Sequence, residues 1–180
     1  EEMRAARKGL SGHIRLAAIP TTLAMVPRIT APFQEKHPDV TFSIVSTTSI
    51  QILGLLENLE IDAGLTYLEN EPLGRVTSVP LLHEHYCLIT AKGGPFSDRE
   101  SVTWQEAGSV RLCLLTADMQ NRRIINRHFT DAGITIQPSL ESNSMIVLLS
   151  HVRTGRWSSI MPKNVARSFG FHDELSIVSL

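Results

Sequence analysis

A two-lobed α/β fold is what this 180-residue chain predicts, and three observations carry the prediction. Between Gly12 and Tyr67, apolar strand-like runs alternate with amphipathic stretches. A second series of the same kind occupies Val110 to Met161, and an extended run without helical period, Val76 to Thr90, separates the two. With 42% hydrophobic residues and a formal net charge of −1, the composition is that of an ordinary globular chain. No run reaches the roughly 18 to 20 apolar residues of a membrane span and no leader opens the chain, so a cytoplasmic setting is expected. Scattered arginines make no basic field for a phosphate backbone, and this chain alone is not expected to bind nucleic acid.

Glu1 to Lys8 is charged, rich in helix formers and followed by Gly9 and Gly12, which reads as the end of a helix begun upstream. His13 to Ile19 is the first strand. Thr22 can cap a helix carrying Leu23, Val26, Ile29 and Phe33 at helical spacing and ending before His37-Pro38. Pro27 and Pro32 count against that helix, at about 3 kcal/mol for an interior proline. Thr41 to Thr47 is the second strand. Ser49 or Thr48 then caps a helix with Ile52, Leu55, Leu56 and Leu59 on one face, and Ile61 to Tyr67 supplies a third strand. Two βαβ crossovers imply a parallel sheet with right-handed connections. After the Lys92-Gly93-Gly94-Pro95 turn come strand Val110 to Leu115, helix Asn121 to Thr130, strand Thr135 to Leu140, helix Ser144 to Arg153 and strand Ser158 to Met161. Ser176 to Leu180 is a last strand.

The first two strands each stop at small hydroxylated residues able to open a helix, Pro20-Thr21-Thr22 and Thr47-Thr48-Ser49. At the carboxyl ends of parallel strands such turns suit a small polar or anionic ligand; hydroxyl-rich, helix-opened turns lean towards a small anion such as a carboxylate, although helix N-termini favour any anion alike. Simple N-capping, worth about 1 kcal/mol each, is the other use of the same hydroxyls. Tyr67, ending the third strand, either closes a pocket floor or serves as a core aromatic. Cys87 and Cys113 lie in apolar strands and read as buried reduced thiols. His83, His85 and Cys87 alternate along one strand face, but a lone strand rarely supplies a closed tetrahedral site, so no metal is expected. His37, His128 and His172 read as surface or capping residues. There is no Gly-x-Ser-x-Gly, Gly-x-Gly-x-x-Gly, phosphate loop or His-Glu-x-x-His, and carboxylates near the turns are sparse, so neither an enzyme nor a cofactor is expected.

Several segments carry a likeness in order and spacing: Gly12-His13-Ile14-Arg15-Leu16-Ala17 leading into Pro20-Thr21-Thr22; Val26-Pro27 followed by Phe33 and His37-Pro38; LGLLENLEIDAGLTY from Leu53 to Tyr67; Pro80-Leu81 with Glu84 and Leu88-Ile89; and IVLLSHVRTGRWSSIMP from Ile146 to Pro162. Together they resemble the effector-binding domain of LysR-type transcriptional regulators over nearly the whole chain. The resemblance implies two Rossmann-like lobes joined by crossover strands, the type 2 periplasmic-binding-protein-like fold, with a small-molecule effector in the interlobe cleft. It divides the chain into the end of a linker helix at 1–11, a first lobe at 12–84 to which 177–180 return, and a second lobe at 85–176. Ligand contacts are implied at Pro20, Thr21, Thr22, Thr47, Thr48, Ser49 and Tyr67 in the first lobe. In the second they are implied at Thr116, within the turn Leu115-Thr116-Ala117-Asp118-Met119, and at Ser144 and Trp157.

The same resemblance implies that Thr22 to Lys36 and Ser144 to Arg153 pair antiparallel in a homodimer, each stretch carrying apolar residues on more than one face. It implies a tetramer at full length, with DNA bound only by a winged helix-turn-helix module lying before this chain. Arg156-Trp157 stands where the family usually has a small residue and a second glycine, and the chain stops before the family's final strand and helix. Two alternatives share the two-lobed form. One is a solute-binding protein of a transport system, which the helical lead-in and the lack of an export signal disfavour. The other is a constitutive regulator whose cleft is filled by Trp157 and Tyr67.

Overall fold

The computed structural model describes residues 10–69, 71–170 and 173–180, so the expected helix end at Glu1 to Lys8 and the expected surface position of His172 lie outside the described residues. Chain contacts divide it into a unit ending at Thr77 and a unit running Ser78–Leu180.

The first unit contains β1 (Gly12–Ala18), a 3-10 turn at Leu23–Met25, α1 (Val26–Lys36), β2 (Val40–Ser46), α2 (Ser49–Glu57) and β3 (Ala63–Leu65). Its strands form a parallel sheet in the order β2-β1-β3, with Ala18 opposite both Ser46 and Leu65. Side chains of β1 alternate between two cores: Leu16 and Ala18 pack with Val26, whereas Ala17 and the following Ile19 pack with Ile52 and Ile61. The Arg15 guanidinium and backbone N–H both donate to Asp62, holding its carboxyl down to about 2. Pro27 costs α1 little because the helix opens at Val26, where a first-turn N–H has no intrahelical acceptor; Pro32 is interior. Two expectations are corrected. Thr22 does not cap α1, since the 3-10 turn intervenes and its hydroxyl bonds elsewhere. Leu59 is not on the buried face of α2, which ends at Glu57; it adopts φ of 58° and is 78% exposed.

The second unit contains β4 (Tyr86–Ala91), α3 (Trp104–Gly108), β5 (Cys113–Leu115), α4 (Gln120–Asp131), β6 (Leu140–Ser142), α5 (Met145–Arg153), β7 (Ser159–Pro162), α6 (Lys163–Ser168) and β8 (Leu175–Ser179). β4 lies between β7 and β8, antiparallel to both; β5 and β6 pair parallel, and a parallel bridge from Leu112 to Ser158 joins β5 to β7. Residues 177–180 therefore do not return to the first unit. β8 pairs along β4 and buries Val178 with Leu88 in one core of the second unit. The boundary falls after Thr77 rather than after Glu84, and residues 79–85 carry no ladder before β4 opens at Tyr86. The strand expected from Thr135 forms only from Leu140, because Pro138 has no N–H to give a ladder. The expectation also passed over α3 and α6. α3 is opened by a capping box in which Thr103 and Glu106 satisfy each other's backbone N–H groups. Among the described residues no helix is long and apolar enough to cross a membrane.

Candidate functional site

Parallel pairing brings the turns after β1, β2 and β3 to one carboxyl edge of the first unit. Ile19 N donates to Leu65 O at 3.1 Å and Thr47 N to Ala18 O at 3.1 Å, so the three chain exits are stitched side by side. β1 connects to β2 on one side while β3 lies on its other side. That reversal marks the crevice at which open α/β sheets receive ligands. At that point Thr21 Oγ1, fully buried, and the hydroxyl of half-buried Tyr67 lie 3.2 Å apart. Pro20 is buried beside them.

The other hydroxyls of this edge are committed to the chain itself. Thr22 Oγ1 donates to Ile19 O at 3.1 Å and Leu65 O at 3.2 Å. Thr48 is the N-cap of α2, accepting from Gln51 N at 3.2 Å, while Gln51 Oε1 accepts from Thr48 N at 3.2 Å and from the Thr47 hydroxyl. Ser49, buried, donates to Glu71 Oε2 at 3.0 Å. Capping is thus the resting role of Thr48, and a ligand here would exchange existing bonds or use the remaining lone pairs of these oxygens. The residues 19–22, 46–49 and 65–67 include no charged side chain. The start of α2 adds its backbone N–H groups to this edge, where a helix favours negative charge.

In the second unit, the turn after β5 presents Thr116. Its N donates to Ser142 O at 3.2 Å, but its Oγ1 is buried without a hydrogen-bond partner, the state in which a polar group asks for an explanation. Ser144 opens α5 and makes no side-chain cap; its N donates to Ser142 Oγ at 3.1 Å. Beneath this turn the buried Arg122 side chain donates to Leu115 O at 2.9 Å and pairs with Glu141, fixing the ends of β5 and β6 together. Trp157 is not at this edge. It precedes the Leu112–Ser158 bridge and so stands at the amino ends of β5, β6 and β7; its Nε1 donates to Ser139 Oγ at 2.9 Å and the Arg111 guanidinium lies 4.7 Å over its ring. The grouping of Trp157 with Thr116 and Ser144 is therefore corrected: strand polarity separates them by the length of a strand.

Cys87 is turned into the core with Cys113, whereas His83 and His85 are exposed, so the three do not converge. Three contributors were missed by sequence reasoning. Gln51 carried a signal, the Thr48-x-x-Gln51 capping spacing. Glu71 and Arg122 carried none, because each acts through a partner far away in sequence.

The LysR substrate binding domain family matches residues 7–180. The chain belongs to that family. Among relatives, the HTH-type transcriptional regulator SsuR of Burkholderia cenocepacia is 24% identical over 146 residues, covering 81% of this chain and 47% of the relative. The chain spans about half the length of the curated relatives it matches. Two solved structures share the fold. The effector binding domain of QuiR, in complex with shikimate, has a TM-score of 0.76 at 23% identity, covering 95% of this chain and 81% of that one. The regulatory domain of Synechocystis PCC6803 CcmR, in complex with 2-PG, has a TM-score of 0.77 at 21% identity, covering 93% and 80%. The type 2 periplasmic-binding-protein-like fold expected from the resemblance is the fold of the LysR substrate binding domain family.

Proposed function

We propose that this LysR-family domain senses a small molecule, a small carboxylate or similar anion, and conveys its presence to a helix-turn-helix module elsewhere in a cytoplasmic regulator. The observation that carries the reading is the hydroxyl-rich edge at the ends of β1, β2 and β3, with Thr21 and Tyr67 meeting at the switch point and α2 opening beside them. Neighbours solved with shikimate and with 2-PG support a small-molecule ligand. In the second unit the reading assigns Thr116 and Ser144 to ligand contact, Thr116 for its unpartnered hydroxyl. The transport alternative is not favoured, since the relatives are transcriptional regulators.

The same reading makes the domain a homodimer and the full-length protein a tetramer, with DNA contacted outside this chain and no catalysis by it. Ile29 on α1 is 42% exposed, and Ile146 and Val147 on α5 are 66% and 39% exposed, so both helices retain apolar surface for a second copy. Effector acts by its difference in affinity for two states of the assembly, typically about 1 to 3 kcal/mol.

Thermal melting against carboxylates, phosphates, sugars and amino acids tests the reading. A ligand at about 100 times its Kd adds about 2.7 kcal/mol, hence a shift of about 5 to 10 °C for a chain of this size. A shift confined to carboxylates is expected. A shift confined to sugars would overturn the ligand class, and none with any class would overturn the sensing role.

A further inference from the structure

The carboxyl edge of the first unit already holds a carboxylate of the chain's own. Ser49, the first residue of α2 and 3% exposed, donates its hydroxyl to Glu71 Oε2 at 3.0 Å. Ser49 follows β2, Glu71 follows β3, and β1 lies between those strands. α2 packs on β3, where Ile52 and Leu56 lie against Gly64, so the start of α2 and the residues after β3 meet at this edge. Tyr67 meets Thr21 at the same edge. Glu71 is half-buried, and its charge lies at the amino end of α2, where a helix favours negative charge.

The geometry points to Glu71 as the residue that sets charge selectivity at this edge, its carboxylate competing with a ligand carboxylate for the Ser49 hydroxyl and the opening turn of α2. This inference rests on the effector reading above. An entering anion has either to displace Glu71 from Ser49 or to lie beside a like charge in a partly buried place, where repulsion is weakly screened. Simple anions that offer nothing more than a carboxylate are held weakly. A ligand whose further hydroxyls engage Thr21 and Tyr67 can replace Glu71, and in doing so releases the segment after β3 from α2.

Glu71→Gln separates charge from structure, because the amide oxygen still accepts from Ser49. Calorimetric titration of benzoate and of the carboxylate giving the largest melting shift, each beside its uncharged amide, is done on wild type, Glu71→Gln and Glu71→Asp. The expected result is about tenfold tighter carboxylate binding in Glu71→Gln, with amide binding unchanged and no gain in Glu71→Asp. If wild type binds a carboxylate and Glu71→Gln binds it no better, charge selection by Glu71 is refuted while the effector reading stands. If carboxylate and amide affinities rise together, the segment has merely loosened, and charge selectivity is again refuted. If no carboxylate binds wild type or variant, the effector reading falls and this inference with it.

Discussion

Cys87 and Cys113 are buried in one core of the second unit, where Cys87 Sγ donates to Met161 O at 3.3 Å and Cys113 Sγ to Leu148 O at 3.7 Å. Burial pushes both thiols up to about 12, far from the thiolate that reacts. A thiol reagent at neutral pH is expected to label neither residue in the folded protein and both after urea unfolding; rapid labelling of either in the native state would contradict the burial. The cysteines were legible in the sequence because each sits in an unbroken apolar run. Thr21 and Tyr67 were legible as strand-end residues, though not as partners at 3.2 Å. Glu71 was not legible at all: it follows a polar stretch of sequence, and its meaning comes from Ser49, which belongs to a different strand exit. Trp157 misled for the opposite reason. Its motif spacing suggested a pocket wall, and only strand polarity shows that it stands at the amino ends with Arg111 and Ser139.

At the scale of elements, α2 and β3 meet at Gly64, where an added Cβ would come within 2.3 Å of Ile52 Cγ2. That methyl belongs to a β-branched side chain with a stiff first torsion, and Ile52 is fully buried, so it has little room to yield. Gly64→Ala is expected to cost about 1 to 3 kcal/mol by urea unfolding. Gly54→Ala is the control: on α2, with nothing within 4 Å of the new Cβ, it is expected to be neutral or to stabilise. Equal stability of Gly64→Ala and wild type would contradict the close contact. β1, α2 and α5 were readable because their apolar periods match the faces they bury. β3 forms a shorter strand than its apolar run suggested, since its ladder with β1 covers only Leu16 to Ala18, and β6 starts only beyond Pro138. α1 was doubtful on propensity, yet Pro27 falls in its first turn, where a proline is tolerated.

For the whole molecule, two βαβ-like series separated by an extended run were enough to read an α/β chain, while the LysR resemblance came from motifs such as Leu53 to Tyr67 and Ile146 to Pro162, and membership of that family agrees with it. The destination of the last strand was not readable, because β8 has the same apolar character whichever sheet receives it; pairing with β4 is decided by register and by the burial of Val178. The carboxyl edge of β1, β2 and β3 is proposed to receive a small carboxylate. The most direct test is amide hydrogen exchange with and without the carboxylate that gives the largest melting shift. Slower exchange at Thr21, Thr22 and Thr48 to Gln51 is the expected result; protection confined to the amino-end cluster around Arg111, Ser139 and Trp157, with the first-unit turns unchanged, would contradict it.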